Sequence, residues 1–406
     1  MVMKSQLRTA VNAADPGAMI TALESLSQEV FSQRARDYDL QARFPAENFT
    51  DLFHINALAA PVAPGFGGLG FAPEYGNVNA LWQMTRAIAK ADLSFARCWE
   101  GHNNALMLID KLAKTEQKQR WFSEVMQKGH RWAAWSGEPQ TKLPHQQYSI
   151  GTRIEKQDSG YVINGNKVFA TSAVGANRAI LLVSLAGPGG AREISDGENN
   201  LLMLACDLSD PSISFDGDWW DPIGMRSTVS YKVNFDNTFI PAKDCIGEIG
   251  EFLTQDMQSR FTPHYGVSFL GALDAAYEYA LNIVNSQQRQ QDPYVQQHIA
   301  RVKLNIDTLS LWMNQVASSL DHQQFDSARE QGAQFRYLAE QLAQEGVALC
   351  IKICGARALN KPSVLERIYR DLSIYVQHDN ADHILATIGR RALGVKVDNA
   401  FFKLKA

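Results

Sequence analysis

The spacing of apolar residues changes twice along this 406-residue chain, and those two changes limit the fold more than any other feature. Over residues 15–37, 46–58, 74–91, 94–112 and 115–127 apolar side chains recur at three and four, the spacing of one helix face, and Gly129 supplies a stop signal. Beyond Arg131 the pattern shortens to β-type runs at 132–136, 152–155, 161–163, 167–171, 179–183, 201–205 and 231–235, separated by turn residues. Asn164-Gly165, set between two alternating runs, predicts a tight hairpin. After Pro241 the helical spacing returns, over 251–285, 295–320, 326–353 and 382–393, with the glutamine-rich stretch 287–297 as a connecting loop. The order predicts an α+β protein in three parts: an N-terminal helical domain (1–130), a small central β domain (131–245) and a C-terminal four-helix bundle (246–406).

Composition excludes several classes. With 45% hydrophobic and 20% charged residues the chain can bury a large core. A net charge of −4 and scattered Lys and Arg give no electrostatic footprint for nucleic acid or an anionic membrane. No window approaches eighteen uninterrupted apolar residues and the N-terminus has no apolar leader core, so a cytoplasmic protein is expected. Five cysteines (Cys98, Cys206, Cys245, Cys350, Cys354) are an odd number without disulfide spacing; Cys350 and Cys354, four apart on one helix face, could supply two metal ligands but read better as core positions, so reduced thiols and no metal are expected.

Several stretches break the expected patterns. Pro61 to Phe71 carries four glycines but lacks the lysine and hydroxyl of a phosphate loop, and reads as a turn between helices. Trp99-Glu100-Gly101-His102-Asn103-Asn104 places a polar cluster on an otherwise apolar helix, which makes His102 a candidate substrate contact as well as a candidate hydrogen-bonded core residue. Tyr369 to Asn380 runs out of an amphipathic helix and breaks at His378-Asp379-Asn380, exposing an imidazole and a carboxylate at a junction between helices, where catalytic groups are well held. Trp135, Ser136, Phe169 and Thr171, at the ends of β-type runs, are suited to a planar tricyclic ring, which needs an aromatic or apolar wall and hydrogen-bonding groups at its polar edge.

These segments, in this order, resemble the acyl-CoA dehydrogenase superfamily over nearly the whole chain. Trp135-Ser136-Gly137-Glu138-Pro139 is similar to the family's strand end that meets the flavin pyrimidine. Gly160 to Ser172 resembles its Gly-Tyr-x-Leu-Asn-Gly-x-Lys-x-Trp-Ile-Thr-Asn signature, and Ile223-Gly224-Met225-Arg226-Ser227-Thr228 its Leu-Gly-Met-Arg turn. The resemblance implies FAD or FMN as cofactor, with Phe169 in place of the tryptophan that walls the isoalloxazine, Thr171 facing N5 and Ser172 beside it. It puts Asp379 where the family carries its catalytic glutamate, implies a homotetramer or homodimer, and places Arg260 where the family carries an arginine at the start of the bundle.

The chain also departs from that pattern. Aspartate is shorter than glutamate by one carbon–carbon bond, about 1.5 Å. The glycines that follow the family's Glu-Pro are replaced by Gln140 to Pro144; Arg289 is the remaining counterpart of an arginine that reaches a neighbouring subunit's FAD, and Gly355 of a Gly-Gly pair. With His378 beside Asp379, these departures are similar to the dibenzothiophene monooxygenase-like branch, which takes reduced flavin from a separate reductase and oxygenates a small organic substrate. The expected activity is a flavin-dependent monooxygenase, with His378, Asp379 and His102 as candidate catalytic residues. Acyl-CoA dehydrogenation with Asp379 as base, and a non-catalytic scaffold of the same fold, are the alternatives.

Overall fold

The computed structural model describes residues 15–139, 152–185, 201–378 and 380–395, without the side chain of Arg153. The first helix, α1 (Pro16–Leu26), starts at an Asp15 cap that accepts the N–H of Gly17; it continues through a π turn, Ser27–Phe31, into α2 (Ser32–Gln41). Then come α3 (Ala46–His54), α4 (Val78–Ala91), α5 (Leu93–Leu112) and α6 (Thr115–Lys128). Asp92 ends α4 and caps α5 through the N–H of Phe95, while Gly129, in the left-handed conformation, closes α6. The Pro61–Phe71 stretch is a turn: a Cβ on Gly68 would lie 2.3 Å from the Val62 oxygen.

Among the described residues eight strands form one sheet: β1 (Trp132–Trp135), β2 (Arg153–Gln157), β3 (Gly160–Ala170), β4 (Arg178–Leu185), β5 (Leu201–Asp207), β6 (Ile213–Asp216), β7 (Tyr231–Pro241) and β8 (Cys245–Ile246). Their order is β6-β7-β3-β2-β4-β5-β8, with β1 parallel to β4. The expected hairpin at Asn164-Gly165 is not formed. β3 runs straight through it, and the reversal comes just before Gly160, which pairs with Gln157 of β2. Gly165 instead takes φ +130° at a register shift against β7, where Asn164 and Asn237 exchange hydrogen bonds, so the glycine serves a bulge.

The bundle comprises a short α7 (Glu251–Thr254), then α8 (Met257–Ser286), α9 (Pro293–Asp321), α10 (Phe325–Cys354), α11 (Val364–Tyr375) and α12 (Ala381–Ala392). The connector after α8 is shorter than expected, because Asp292 caps α9 at Tyr294 and Val295. One apolar core runs through the N-terminal helices, the bundle and one sheet face, which contributes Ile180, Leu182, Met203 and Ala205; the opposite face packs a smaller core around Ile163, Leu181, Leu204 and Val233.

Candidate functional site

The end of β3 is held in an unusual conformation. Phe169 and Ser172 both have positive φ (51° and 66°), and so do Met225 and Val229 (56° and 43°) in the facing loop before β7. Left-handed backbone costs a non-glycine residue roughly 1–2 kcal/mol, more where Cβ is branched, and such strain concentrates where function requires it. Surrounding bonds hold it in place: Ser172 N–H donates to the Thr228 oxygen at 2.8 Å, and Thr171 Oγ1, Ser230 Oγ and Thr228 Oγ1 form a buried hydroxyl chain with separations of 3.0 and 2.7 Å.

This turn pushes the Phe169 ring outward. It is 62% exposed, and Trp219 meets it edge to face at 4.9 Å, with Trp220 at 6.1 Å. Ser136 is exposed beside it, because Val168 N–H donates to the Gly137 oxygen at 3.1 Å and a Cβ on Gly137 would lie 2.6 Å from the Val168 oxygen. Lys167 has no exposed surface; its Nζ donates to Glu138 Oε1 at 2.5 Å and the Leu182 oxygen at 2.7 Å, fastening this segment to the sheet. Burial pulls the Lys167 ammonium below its ordinary pKa, and Glu138 opposes that pull.

Trp135 was expected as part of a ring-binding surface, and the structure corrects this. Its indole is buried in the smaller core and donates Nε1–H to the Thr171 oxygen at 2.9 Å, so it braces the turn from behind. Of the two readings of His102, the hydrogen bonds fit the core residue. Nδ1 accepts the N–H of Trp132 at 3.0 Å and Nε2 binds the Leu58 oxygen at 2.8 Å, leaving neither nitrogen for a substrate, and burial pushes its pKa down to about 4. The imidazole ties α5 to β1.

α5 also connects the Phe169 turn to the bundle. Cys98 lies 4.0 Å from the Thr228 oxygen, and burial pushes its thiol up to about 12. Next to it, Arg97 Nη1 donates to Glu100 Oε1 at 3.0 Å; Glu100 Oε2 accepts the Tyr375 hydroxyl at 2.5 Å and the Ser268 hydroxyl at 3.2 Å. The Arg97 guanidinium stands 5.8 Å from the Tyr265 ring and 5.9 Å from the Tyr375 ring. Tyr265 in turn meets the His378 ring edge to face at 4.8 Å. His378 is surrounded by protein yet keeps exposed surface, so it lines a recess rather than the core. Its enclosure, then Arg97 and Arg336, hold its pKa well below the ordinary value. Asp379 lies outside the described residues.

Behind the Met225 loop lies a buried acid pair. Asp371 Oδ1 accepts the Met225 N–H, and Asp92 Oδ2 is buried with no partner among the described residues; Arg367 supplies the nearby positive charge.

Arg289 and Gly355 come together, but elsewhere. Arg289 Nη1 donates to the Ile353 oxygen at 3.0 Å, just before Gly355 (φ +75°). Tyr265 and Ser286 are separated by most of α8, roughly 32 Å at the helical rise, so one chain does not bring this pair to His378. Arg260 ion-pairs with Glu74 at 2.6 Å and covers the Phe325 ring, joining the N-terminal helices to the bundle.

Sequence reasoning met Glu100 and Tyr375 only as members of longer stretches and did not single out Arg97, Tyr265 or Trp219. The spacing of Arg97 and Glu100 on one helix face is a local signal for an ion pair. The tyrosines meet it only through packing.

Two family models match the chain: acyl-CoA dehydrogenase, N-terminal domain, over residues 17–128, and acyl-CoA dehydrogenase, C-terminal domain, over 263–393. A probable FMNH2-dependent monooxygenase, SfnC, of Pseudomonas putida is 23% identical over 95% of this chain and 97% of its own. Dibenzothiophene monooxygenase of Rhodococcus erythropolis is 22% identical over 79% of this chain and 82% of its own. The crystal structure of FMN-bound TdsC from Paenibacillus sp. A11-2 superposes with a TM-score of 0.83 at 19% identity, over 95% of this chain and all of that one. The helical–β–helical order and the matches on both flanking helical parts agree, and the chain belongs to the acyl-CoA dehydrogenase superfamily.

Proposed function

We propose that this protein is a reduced-flavin-dependent monooxygenase acting on a small organic substrate. The observation that carries the reading is Phe169: its ring is held out from the sheet by a left-handed backbone, and α5 links that turn to the His378 recess. Phe169 would wall a flavin ring, Ser136 and the Gly137 main chain would meet its polar edge, and Thr171 and Ser172 would line the side nearest α5. Bound reduced flavin would supply the electrons that activate dioxygen, one atom going to the substrate and the other to water. His378, held neutral, offers a ring nitrogen that can accept a proton or a hydrogen bond beside the substrate. Arg289 and Gly355 lie away from this recess within one chain, so they would meet a flavin only across a subunit contact.

The names of the relatives support the same reading, since they include an FMNH2-dependent monooxygenase and a dibenzothiophene monooxygenase. The proposal includes a separate cytoplasmic flavin reductase as partner. It also includes assembly as a homotetramer or homodimer, favoured by Tyr294, Leu304 and Leu311, which are 74%, 60% and 72% exposed along α9.

The test is oxygen consumption by the purified protein with FMN and an external flavin reductase, set against anaerobic bleaching of bound flavin by a series of acyl-CoA esters. Substrate-dependent oxygen uptake is expected. Bleaching without oxygen uptake would assign α,β-dehydrogenation, with Asp379 as the base. Failure to bind either flavin would leave the non-catalytic scaffold.

A further inference from the structure

We infer that Arg97 is a substrate-recognising residue of this recess and that the substrate carries a small oxyanion group of the carboxylate or sulfinate class. The inference rests on the proposed function, and it names the chemical class of what lies beside His378.

Arg97 is held in position but is not fully used. Its side chain is 11% exposed, and its single hydrogen bond among the described residues is Nη1 to Glu100 Oε1. A guanidinium has five N–H donors in a fixed planar fork. None of the other Arg97 nitrogens is both buried and without a partner, so the remaining donors reach accessible surface. The guanidinium is centred near 6 Å from Tyr265 and Tyr375, the two rings against which His378 packs at 4.8 and 6.1 Å. Arg97 and His378 thus share the same two tyrosine rings as neighbours, which puts the spare donors and the imidazole in one part of the site.

The charges around the recess balance, Arg97 and Arg336 against Glu100 and Glu340, so it is the unused donors of Arg97 that favour an anion. Glu100 is completely buried, and both of its oxygens are engaged by Arg97, Tyr375 and Ser268, so its charge is met on the inner side. His264, buried against Thr85 and Asn104, is pushed down to about 3 by burial and then by Arg97, and is neutral at physiological pH. The second buried guanidinium, Arg336, has Glu340 at 2.9 Å, and it acts together with Arg97 on His378. A planar fork with spare donors, little hydrated and flanked by aromatic faces, binds carboxylate-like oxygens in pairs and gives a neutral isostere no equivalent contact.

The test uses two isosteric pairs of probes, benzoate with benzamide and methanesulfonate with dimethyl sulfone. Binding is measured by calorimetry on the full-length protein, with and without FMN. Wild-type protein should bind the anion of at least one pair roughly tenfold or more tightly than its neutral partner, the discrimination expected of a charge-assisted contact. R97Q should erase that preference. E100Q, which frees Arg97 from its ion pair, should strengthen it; a merely structural Arg97–Glu100 pair would weaken binding in both variants.

Equal binding of anion and neutral partner by the wild type, an unchanged preference in R97Q, or no binding of any probe would each overturn the inference. So would an effect of R97Q confined to the affinity for reduced against oxidised FMN, because the anion read would then be the cofactor's own. FMN titration without probes is scored separately. Normal flavin binding without anion preference overturns this inference and leaves the proposed function standing, and anion preference without flavin binding does the reverse.

Discussion

Oδ1 of Asp371 accepts the backbone N–H of Met225 at 2.6 Å, which fastens the strained loop before β7 to helix α11. The carboxyl is 1% exposed, and burial pushes it up to about 7, with Asp92 and Asp39 adding to the rise and Met225 N–H and Arg367 opposing it. The folded protein thus keeps a proton that the unfolded chain releases near pH 4. Stability from this group is complete below that pH, is lost as pH rises toward 7, and levels off above. Asp371→Asn keeps an oxygen acceptor and removes the titration. Its stability should match wild type near pH 4 and exceed it by on the order of 1–4 kcal/mol at pH 8. Urea unfolding across that range checks this, and parallel curves would refute it.

His102 should behave as a structural residue. His102→Gln removes at least one buried hydrogen bond and should cost about 1–3 kcal/mol while leaving flavin affinity unchanged. Because the folded imidazole is held down to about 4, wild type loses stability as pH falls from about 6.5 toward 4, and the variant should lose less. Thermal unfolding against pH, with a parallel flavin titration, tests both statements.

Gly224 has no room for a side chain. A Cβ there would lie 2.2 Å from the Arg370 oxygen and 2.6 Å from the Asp371 nitrogen, both backbone atoms that cannot swing aside. Gly224→Ala is expected to lower stability by about 3 kcal/mol or more, or to displace the Met225 loop. A melting temperature within a degree of wild type would show that the contact is not tight.

Phe169 offers the opposite case, an exposed aromatic with little packing to lose. Phe169→Ala should change stability by less than about 1 kcal/mol. It should weaken FMN binding at least roughly tenfold, as expected when an aromatic wall is removed. Fluorescence titration with FMN reads the second effect, and unchanged affinity would remove Phe169 from the site.

His378 is held in the neutral form, so the rate should show no inflection from this group between pH 6 and 8. His378→Asn is expected to lower turnover by roughly 10²–10⁴, the range for a positioned acid or base, with a profile parallel to wild type over those pH values. An inflection near 6.5 that the variant abolishes would mean that the imidazole titrates despite Arg97 and Arg336.

Much of the fold was legible because burial repeats every few residues along a helix, and α4, α5 and α6 fall within a few residues of the ranges read from spacing. Asn164-Gly165 misled because a glycine with positive φ serves a bulge as readily as a turn, and pairing with β7 decides between them. Phe169 and His378 could be named from their motifs. Their surroundings could not: Tyr265 reaches His378 from a different helix, and no local signal marks a tyrosine whose partner lies more than a hundred residues away. Trp135 and His102 show the converse, residue types suited to chemistry but used as braces, which becomes visible only when their hydrogen-bond partners are known.

The single core shared by the two helical parts has a consequence for biosynthesis. Arg86 on α4 grips Asp274 on α8 through two bonds of 2.6 and 2.9 Å, yet the residues are 188 positions apart. At roughly 5–20 residues per second, the first helices leave the ribosome on the order of ten to forty seconds before the surface that will cover them. A nascent chain stalled at the end of the sheet would display an oily, unpartnered flank, and that is where a holding chaperone would engage it.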